Sequence, residues 1–218
     1  IESAHADLAL ILAFDYFSIE AVMSGVSPVL GDTPLIGFST AHELTAEGPH
    51  QRSVVVAILQ GEGIQAQANW WPDFFKRAPE ANQTLAQAFP SWDDSEGRTV
   101  FLALDGLGGD FEALGDSLPS GSYTLAGCLA GGDVHSGRTY QIGGSQAGSG
   151  GRAAAVINGK VRAGLGTGHG WQPVGAYFQV TRAEGLWVRT LNDQPAAEAY
   201  AGMFGYPSRQ WSFPPLNE

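Results

Sequence analysis

Residues 10–43 read LILAFDYFSIEAVMSGVSPVLGDTPLIGFSTAHE, and residues 100–133 read VFLALDGLGGDFEALGDSLPSGSYTLAGCLAGGD. The two stretches align without a gap at an offset of 90 residues, and eight of the 34 positions are identical. Ordinary residue frequencies would give about two or three identities over this length. Each stretch has the pattern of an apolar strand, an Asp, a short helix, a Gly-containing turn, a second apolar strand and a polar loop that ends in an acid. The sequence therefore predicts an internal duplication.

The duplication also predicts the fold class. We expect an α/β fold, with α+β also compatible, in which two pseudo-symmetric β-α-β halves cover about residues 8–59 and 98–157. Mixed sheets, helices on the outer faces and an antiparallel ribbon added after residue 137 complete this expectation. Convergent patterning of two unrelated β-α-β units is the alternative. The identical pairs are Leu12/Leu102, Ala13/Ala103, Asp15/Asp105, Gly25/Gly115, Ser27/Ser117, Gly31/Gly121, Leu35/Leu125 and Gly37/Gly127.

Composition and charge exclude several classes of partner. Hydrophobic residues make up 44% of the 218 positions and charged residues 15%, which is typical of a folded chain. The net charge is −11 with only 11 basic residues, which argues against binding to nucleic acid or to an anionic membrane. The single cysteine, Cys128, allows no intrachain disulfide and no cysteine-based zinc site. No motif predicts a cofactor, since the Gly-rich residues 143–151 lack the Gly-Lys-Ser/Thr ending of a phosphate loop.

Three sequence features together predict a cytoplasmic protein. The lone cysteine fits a reducing compartment weakly. No apolar stretch approaches the ~20 residues that cross a bilayer. Residues 1–5 have neither the basic segment nor the apolar segment of a signal peptide, and they lack an initiator Met, so we expect a trimmed chain.

Hydrophobic periodicity and turn signals predict the elements along the chain, and Asn158-Gly159 predicts a hairpin turn between two of the strands. A helix with Ser18 at its N-terminus follows the first strand, and a second short helix is expected over Phe111 to Leu118. Asn69 to Ala88 carries Trp70, Trp71, Phe74 and Phe75 near helical spacing, as a core cluster or, if exposed, as a partner surface. A last helix covers Pro195 to Ala201, with Asp193 as its cap. The predicted strands are Leu8–Phe14, Pro34–Phe38, Ser53–Leu59, Arg98–Leu104, Tyr123–Cys128, Tyr140–Ile142, Ala153–Ile157, Val161–Leu165, Ala176–Thr181 and Leu186–Thr190.

Four stretches resemble the N-terminal half of the FIST domain. Leu35-Ile-Gly-Phe-Ser-Thr-Ala-His-Glu43 is similar to the family's Gly-Cys-Ser-Thr-Ala-Gly-Glu hallmark after a strand. Leu125 to Asp133 resembles the second glycine-alanine loop of the family. Gly168 to Ala176 with Val180-Thr181 resembles its glycine-proline strand, and Leu191 to Tyr200 resembles its closing helix. His42 departs from the pattern, because it stands where the family has glycine.

The resemblance implies a sensory module of signal-transduction proteins that binds a small ligand, with amino acids as the suggested class. It also implies that residues 1–205 form one domain and that residues 206–218 lead towards a C-terminal FIST half or a signalling output domain. The expected partners are therefore a small-molecule ligand and such a second domain, with no nucleic acid and no membrane. We expect the protein not to be an enzyme.

The candidate ligand site lies in the two loops that follow the paired strands. Ligands of open α/β sheets gather at the carboxyl ends of the strands, where loop amides and short polar side chains converge. The Ser39 and Thr40 hydroxyls are candidates to hold a carboxylate, and Glu43 or Asp133 to hold an ammonium. The alternative is that Ser39 and Thr40 satisfy backbone groups in a turn and that Glu43 caps a nearby element. His42 is added to the site for its own chemistry or as a sign of a reshaped loop.

Other sites were weighed against this one. Trp171 forms either an aromatic wall for the ligand or a cover for the core edge. Asp15 and Asp105 share a register, and we expect each to cap the helix that follows it. A metal site and a hydrolase-like site are the less favoured hypotheses. The metal candidates are His42, Glu43, Asp133 and His135, and the candidate nucleophiles are Ser39 and Cys128 with His42 or His169 as base.

Overall fold

A computed structural model describes residues 6–73, 97–107, 122–132, 137–173, 175–184 and 187–205. These residues contain fourteen strands and two helices, so the protein is richer in strand than the sequence patterns suggested. The chain divides at Leu165 and Gly166 into two compact units. The predicted helix over Phe111 to Leu118, the tail after residue 205 and the residues Phe74, Phe75, Asp133 and His135 lie outside the described residues.

The first unit holds eleven strands, of which nine form two mixed sheets. Sheet 1 has the strand order β10-β9-β2-β1-β5, sheet 2 has the order β6-β11-β7-β8, and β3 pairs only with β4 among the described residues. The strands are β1 (Leu8–Phe14), β2 (Leu35–Thr40), β3 (Glu43–Thr45), β4 (Gly48–His50), β5 (Val54–Leu59), β6 (Gln65–Trp71), β7 (Gly97–Asp105), β8 (Thr124–Ala130), β9 (Gln141–Gly143), β10 (Gln146–Gly148) and β11 (Arg152–Gly159).

Each sheet contains one parallel pair of strands. In sheet 1, β1 runs parallel to β2 and antiparallel to β5, while β9 is antiparallel to β2. In sheet 2, β7 runs parallel to β8 and antiparallel to β11, and β6 is antiparallel to β11. The strand predicted at Leu8–Phe14 is confirmed at those bounds, because apolar residues on both faces suit a strand that is covered on both sides.

The two sheets pack face to face, and the core lies between them. Alternate residues of each strand point into this layer, as the two-residue period of a strand requires. Small alanines of β7 and β11 face larger side chains of β1 and β2, so the two backbones approach closely. The buried residues of this core are Leu8, Ile36, Phe38, Ala103, Ala130, Ala153 and Ala155.

Helix α1 (Ile19–Leu30) covers the outer face of sheet 1. Its residues Ile19, Val22 and Met23 recur at helical spacing and pack against the outward side chains of β1 and β2. The Ser18 Oγ accepts a hydrogen bond from the Ala21 N–H (3.1 Å), which confirms Ser18 as the N-cap. The expectation that Asp15 caps this helix is therefore wrong.

Two elements of the first unit differ from those predicted from the sequence. Asn69 to Trp71 form the end of strand β6 rather than the start of a helix, because the β-sheet pairs them with Arg152 to Ala154 of β11. The strand predicted at Val161–Leu165 is absent, and residues 160–165 are irregular. The Asn158-Gly159 pair does not turn into a hairpin, because β6 and β7 already pair with the two sides of β11 and leave no edge for a returning strand.

The second unit contains a small antiparallel sheet and a helix. Strands β12 (Val180–Glu184), β13 (Trp187–Leu191) and β14 (Gln194–Pro195) are followed by α2 (Ala196–Met203). Asn192 and Asp193 both have positive φ and form the two-residue turn between β13 and β14. Asp193 therefore serves the turn and does not cap α2, whose N-cap is Pro195 without a side-chain hydrogen bond.

Neither described helix combines the length and the apolar character that crossing a bilayer demands.

Candidate ligand site at the carboxyl ends of two strands

The candidate site lies where β1 and β2 end. Because these strands are parallel, Asp15, which follows β1, lies beside Thr40, the last residue of β2. The Asp15 N–H donates to the Thr40 carbonyl (3.1 Å), which holds the two ends together. The loop that follows β8 reaches the same place through Gly131 and Gly132. The loops that follow β2 and β8 are thus in contact.

Ser39 joins three segments of the chain. Its Oγ donates to the Gly131 carbonyl (2.7 Å) and accepts from the Tyr140 N–H (3.0 Å). Its backbone N–H donates to the Tyr140 carbonyl (3.0 Å), and its carbonyl accepts from the Gly131 N–H (2.8 Å). The side chain is fully buried. The single hydroxyl proton of Ser39 is donated to the Gly131 carbonyl in this arrangement. A role of Ser39 in ligand binding stays a prediction.

Glu43 is the buried acid of the site, with 1% of its surface exposed. The Thr40 hydroxyl donates to Oε1, and the Ser53 hydroxyl donates to Oε2 (2.5 Å). Each carboxylate oxygen can accept two hydrogen bonds, so one further donor per oxygen is possible. Burying a carboxylate with two neutral donors is unfavourable unless a charge partner is added. Glu43 is therefore a buried acid that could accept further donors, and its role with a ligand stays a prediction.

Tyr140 places a phenol beside this acid. Its ring is 6% exposed and packs in the layer between sheet 1 and α1. The buried hydroxyl has no hydrogen-bond partner among the described residues. Burial, and then the nearby charges of Asp15 and Glu43, raise the pKa of Tyr140 to about 12. The phenol therefore lies near both carboxylates, and its hydroxyl keeps a hydrogen-bonding capacity that the described residues do not use.

Gly132 brings the second loop against Asp15. A Cβ at Gly132 would lie 2.9 Å from the Asp15 Oδ2 and 2.7 Å from the Arg138 carbonyl oxygen. Only glycine fits this approach without displacing one of them. The next residue, Asp133, is a predicted ligand residue that lies outside the described residues.

His42 lies at the exposed rim of the first loop. Its Nε2 is 2.6 Å from the Gln51 Nε2, and the imidazole has solvent access. It does not lie within hydrogen-bond distance of Ser39 in the interactions described for either residue. The geometry thus lends no support to a Ser39–His42 nucleophile–base pair.

Asp105 occupies a different environment from Asp15. Its Oδ1 accepts from the Thr139 hydroxyl (2.5 Å) and from the Leu107 N–H (3.1 Å), two residues further along the chain. The second bond is typical of an Asp that stabilises a turn. Thr139 in turn accepts from the Gln141 Nε2 (3.4 Å), and the Gln141 Oε1 accepts from the Gly151 N–H (3.1 Å). Asp105 is therefore part of a buried structural network between the sheets.

Cys128 lies on the inner face of β8 and packs against the core. Burial raises the pKa of its thiol to about 12. Because the thiolate is the reactive species, a thiol of this pKa is a poor nucleophile at neutral pH. The hydrolase-like hypothesis therefore gains no support from either candidate nucleophile.

Three tryptophans lie outside the loops that follow β2 and β8. Trp171 belongs to the second unit and is 86% exposed. Trp70 packs against the core between the sheets, and Trp71 packs on the outer face of sheet 2.

In the part of the chain that the structure describes, no three His, Cys, Asp or Glu side chains lie close enough together to hold a metal ion.

Sequence reasoning missed Tyr140 and Ser53. Tyr140 was taken as the first residue of a strand, and Ser53 likewise, so neither was given a role in the site. The signal that could have found Tyr140 is its place just before a strand that pairs with β2, but that pairing joins residues about a hundred positions apart. Such non-local pairing is not readable from periodicity.

The family follows from one comparison. The FIST N domain profile matches residues 7–194, which include both loops of the candidate site. The chain belongs to the FIST N domain family. FIST domains are sensory, non-catalytic domains of signalling proteins, which agrees with the resemblance of the four sequence stretches. No curated protein shows significant similarity to the chain.

Proposed function

We propose that this FIST domain senses a small molecule that carries an amine, and that the ligand binds where the loops after β2 and β8 meet. The observation that carries the proposal is the buried Tyr140 hydroxyl, which has no hydrogen-bond partner among the described residues and lies near enough to Asp15 and Glu43 for their charges to raise its pKa. Two carboxylates and a phenol oxygen can all accept hydrogen bonds, and an ammonium group supplies three donors and a positive charge.

The hydroxyl groups of Ser39 and Thr40 already donate their protons within the protein. We therefore propose that the site recognises the cationic end of the ligand and not its carboxylate. Ser39 donates to Gly131, and Thr40 donates to Glu43, so neither proton points to a ligand carboxylate in this arrangement. Amino acids stay within the proposed ligand class, because they carry the required ammonium. Ser39, Thr40, His42, Glu43 and Asp133 remain the proposed ligand residues, to which Asp15 and Tyr140 are now added. Trp171 remains a proposed wall of the site.

The signal would be a shift between two arrangements of the loops. A ligand that contacts both Glu43 and the loop after β8 binds the closed arrangement better than an open one, and only such differential affinity shifts a population. The Ser39–Gly131 bonds are the contacts that such a shift would make or break. We propose that residues 1–205 act as one internally duplicated, cytoplasmic domain and that residues 206–218 connect it to a C-terminal FIST half or an output domain.

The test is a ligand screen on the 218-residue chain. We expect free amino acids and simple amines to raise the melting temperature, and their N-acetyl derivatives, which lack the positive charge, to leave it unchanged. Isothermal titration calorimetry then gives the affinity of each active compound.

Tyr140→Phe is the decisive variant. We expect at least about a tenfold loss of affinity, equivalent to about 1.4 kcal/mol, because the ring is kept and only the hydroxyl is lost. The unliganded variant should unfold at the same urea concentration as the native chain or a higher one, since an unpartnered buried hydroxyl contributes no stability. Tyr123→Phe is the matched control, because Tyr123 packs on the outer face of sheet 2 near the amino end of β8. Equal affinity of the Tyr140→Phe variant, or no response to any amine, would refute the site.

A further inference from the structure

Strand β5 is an edge strand with an open side. It pairs with β1 through six consecutive residues, and no described strand pairs with its other side. An open edge presents a row of free N–H and C=O groups that can bind another strand. Proteins normally protect such an edge with a lysine, a proline or a bulge. Residues 54–59 read VVVAIL and contain none of these.

The hydrogen-bond pattern identifies which groups are free. The Phe14 N–H donates to the Ser53 carbonyl (3.1 Å), in the same register that pairs Ala13 with Val54. Backbone groups of an antiparallel strand alternate in direction, so Val55, Ala57 and Leu59 turn their N–H and C=O groups towards β1. The groups of Val54, Val56 and Ile58 therefore point away from β1, into the open edge.

The side chains on the outer face of β5 are apolar and exposed. Val54, Val56 and Ile58 are 41%, 43% and 52% exposed, although α1 buries the neighbouring side chains of β1. An apolar groove of about 280 Å³ lies on the inner side of the same edge, lined by residues that include Leu10, Leu59 and Phe101. Both faces of this edge thus present apolar surface, which is typical of an interaction site.

The charges near the two ends of β5 favour a second copy of this chain as the partner of its open edge. Arg52 precedes β5, Glu62 follows it, both are exposed, and no charged residue lies between them. We infer that β5 pairs antiparallel with β5 of a second copy of this chain. In the register that sets Ala57 of each copy opposite itself, the bend that holds Arg52 of one copy lies at the same end of the contact as the turn that holds Glu62 of the other. Val56 then pairs with Ile58, both of which have outward-facing backbone groups.

This pairing joins the two five-stranded sheets into one continuous sheet across a two-fold axis. It removes the open edge of both copies and covers the exposed valines with their counterparts. The uncharged strand also keeps like charges apart at the centre of the contact, although each copy carries a net charge of −11.

The first measurement is the mass of the 218-residue chain by sedimentation equilibrium over a range of concentrations. We expect a concentration-dependent dimer of twice 22.9 kDa. A chain that stays monomeric at every concentration would overturn the inference.

Val56→Pro tests the strand pairing directly. Proline removes an N–H that does not bond to β1, so the fold should persist while the intermolecular ladder is broken. We expect at least about a tenfold weaker dimer. Val56→Lys should act in the same way through charge repulsion, with Val29→Lys as control, since Val29 is 83% exposed on α1. Dimerisation of Val56→Pro with native affinity would rule out β5 as the interface.

Charge reversal tests the second copy as the occupant. Arg52→Glu alone and Glu62→Arg alone should each weaken the dimer, because each places like charges at the same end of the contact. The double variant should regain the native affinity, since both end pairs are restored with opposite sign. Failure of the double variant to recover, while it remains folded, would contradict the antiparallel register.

Discussion

Strands β2, β1 and β5 of sheet 1 have the same order and orientation as strands β8, β7 and β11 of sheet 2. In each group a central strand runs parallel to one neighbour and antiparallel to the other. The predicted duplication aligns β1 with β7 and β2 with β8, and it stays a prediction. The two groups differ, however, in the direction of their side chains.

The central strands β1 and β7 point aligned residues to opposite faces. Leu12 packs towards the core between the sheets, but Leu102 packs on the outer face of sheet 2. Ala13 lies on the outer face, and Ala103 lies in the core between the sheets. The following strands agree, because Phe38 and its counterpart Cys128 both point inward.

The register of the parallel pairs explains this difference. Ala13 pairs with Ser39, 26 residues further on, whereas Ala103 pairs with Cys128, 25 residues further on. A shift of one residue turns every side chain of a strand to the other face. The gapless alignment therefore holds for β2 and β8 and is wrong by one residue for β1 and β7. Asp15 consequently faces Tyr140, Asp105 faces the core, and the candidate site exists in one group only.

The largest expected effect on the free energy of unfolding comes from substituting the two aligned glycines, Gly37 and Gly127. A Cβ at Gly37 would lie 2.7 Å from the Ile11 carbonyl oxygen, and one at Gly127 would lie 2.3 Å from the Leu102 carbonyl oxygen. We expect Gly37→Ala to lower the free energy of unfolding by about 3 kcal/mol, because β2 is held between β1 and β9 and cannot move. Gly127→Ala should lower it at least as much, because the added Cβ would lie closer to backbone there and Gly127 has a φ of +159°, which residues with a side chain rarely adopt. Urea denaturation measures both, and a reversed order would contradict the argument.

The next effect separates Ser39 from its aligned residue Leu129. Ser39→Ala leaves the Gly131 carbonyl and the Tyr140 N–H without their hydroxyl partner, which should lower the free energy of unfolding by about 2 kcal/mol. Leu129→Ala should change it by only about 0.5 kcal/mol, because that side chain is 47% exposed. Equal losses in urea denaturation would show that the two loops are equivalent after all.

Alkaline pH should weaken the two groups through different residues. The pKa of Cys128 is raised from 9.0 to about 12, and that of Tyr140 from 10.0 to about 12. The unfolded chain therefore loses these protons first, so the free energy of unfolding falls as pH rises above about 9, by at most about 1.4 kcal/mol per pH unit for each group.

The variants assign this pH dependence. Cys128→Ala should remove the part that begins near pH 9, and Tyr140→Phe the part that begins near pH 10. Urea denaturation between pH 7 and the alkaline limit of solubility measures each slope, with the native chain as reference. Unchanged slopes in both variants would show that neither proton is protected by folding.

The smallest effect compares Asp15 with Asp105. Asp15→Asn should lower the pKa of Tyr140 by a fraction of a pH unit, because the negative charge of Asp15 raises it. Asp105→Asn should leave that pKa unchanged, since Asp105 turns towards Thr139 and the core. NMR of ring-labelled tyrosines during a pH titration gives the value, with Tyr140→Phe assigning the signal. A shift of equal size in both variants would contradict the difference in faces.

Much of the fold was predictable from local signals. The apolar runs of β1, β5, β7 and β11 and the cap Ser18 were located to within one or two residues, because periodicity and capping act over a few positions. The helix expected from Asn69 was wrong at its start, since the aromatic spacing there reflects a strand whose alternate faces pack on two different layers. The hairpin at Asn158-Gly159 was wrong because two strands from distant parts of the chain, β6 and β7, pair with both sides of β11.

The candidate site was predictable only in part. The loops after β2 and β8 were expected together, and the Ser39–Gly131 hydrogen bonds place them in contact. The acceptor of the Ser39 proton and the approach of Tyr140 were not predictable, because both depend on β9 pairing with β2 across about a hundred residues.

The amino-acid sequence by itself determined where most of the strands lie along the chain, the family and the place where the two loops end. These depend on short-range patterns of apolar, glycine and capping residues, which act before the chain is packed. Only the tertiary structure decided which face each central strand presents and therefore which aspartate reaches Tyr140. The physical reason is that a one-residue difference in register changes no composition and little local propensity, yet it exchanges the buried and the outward side chains of a whole strand.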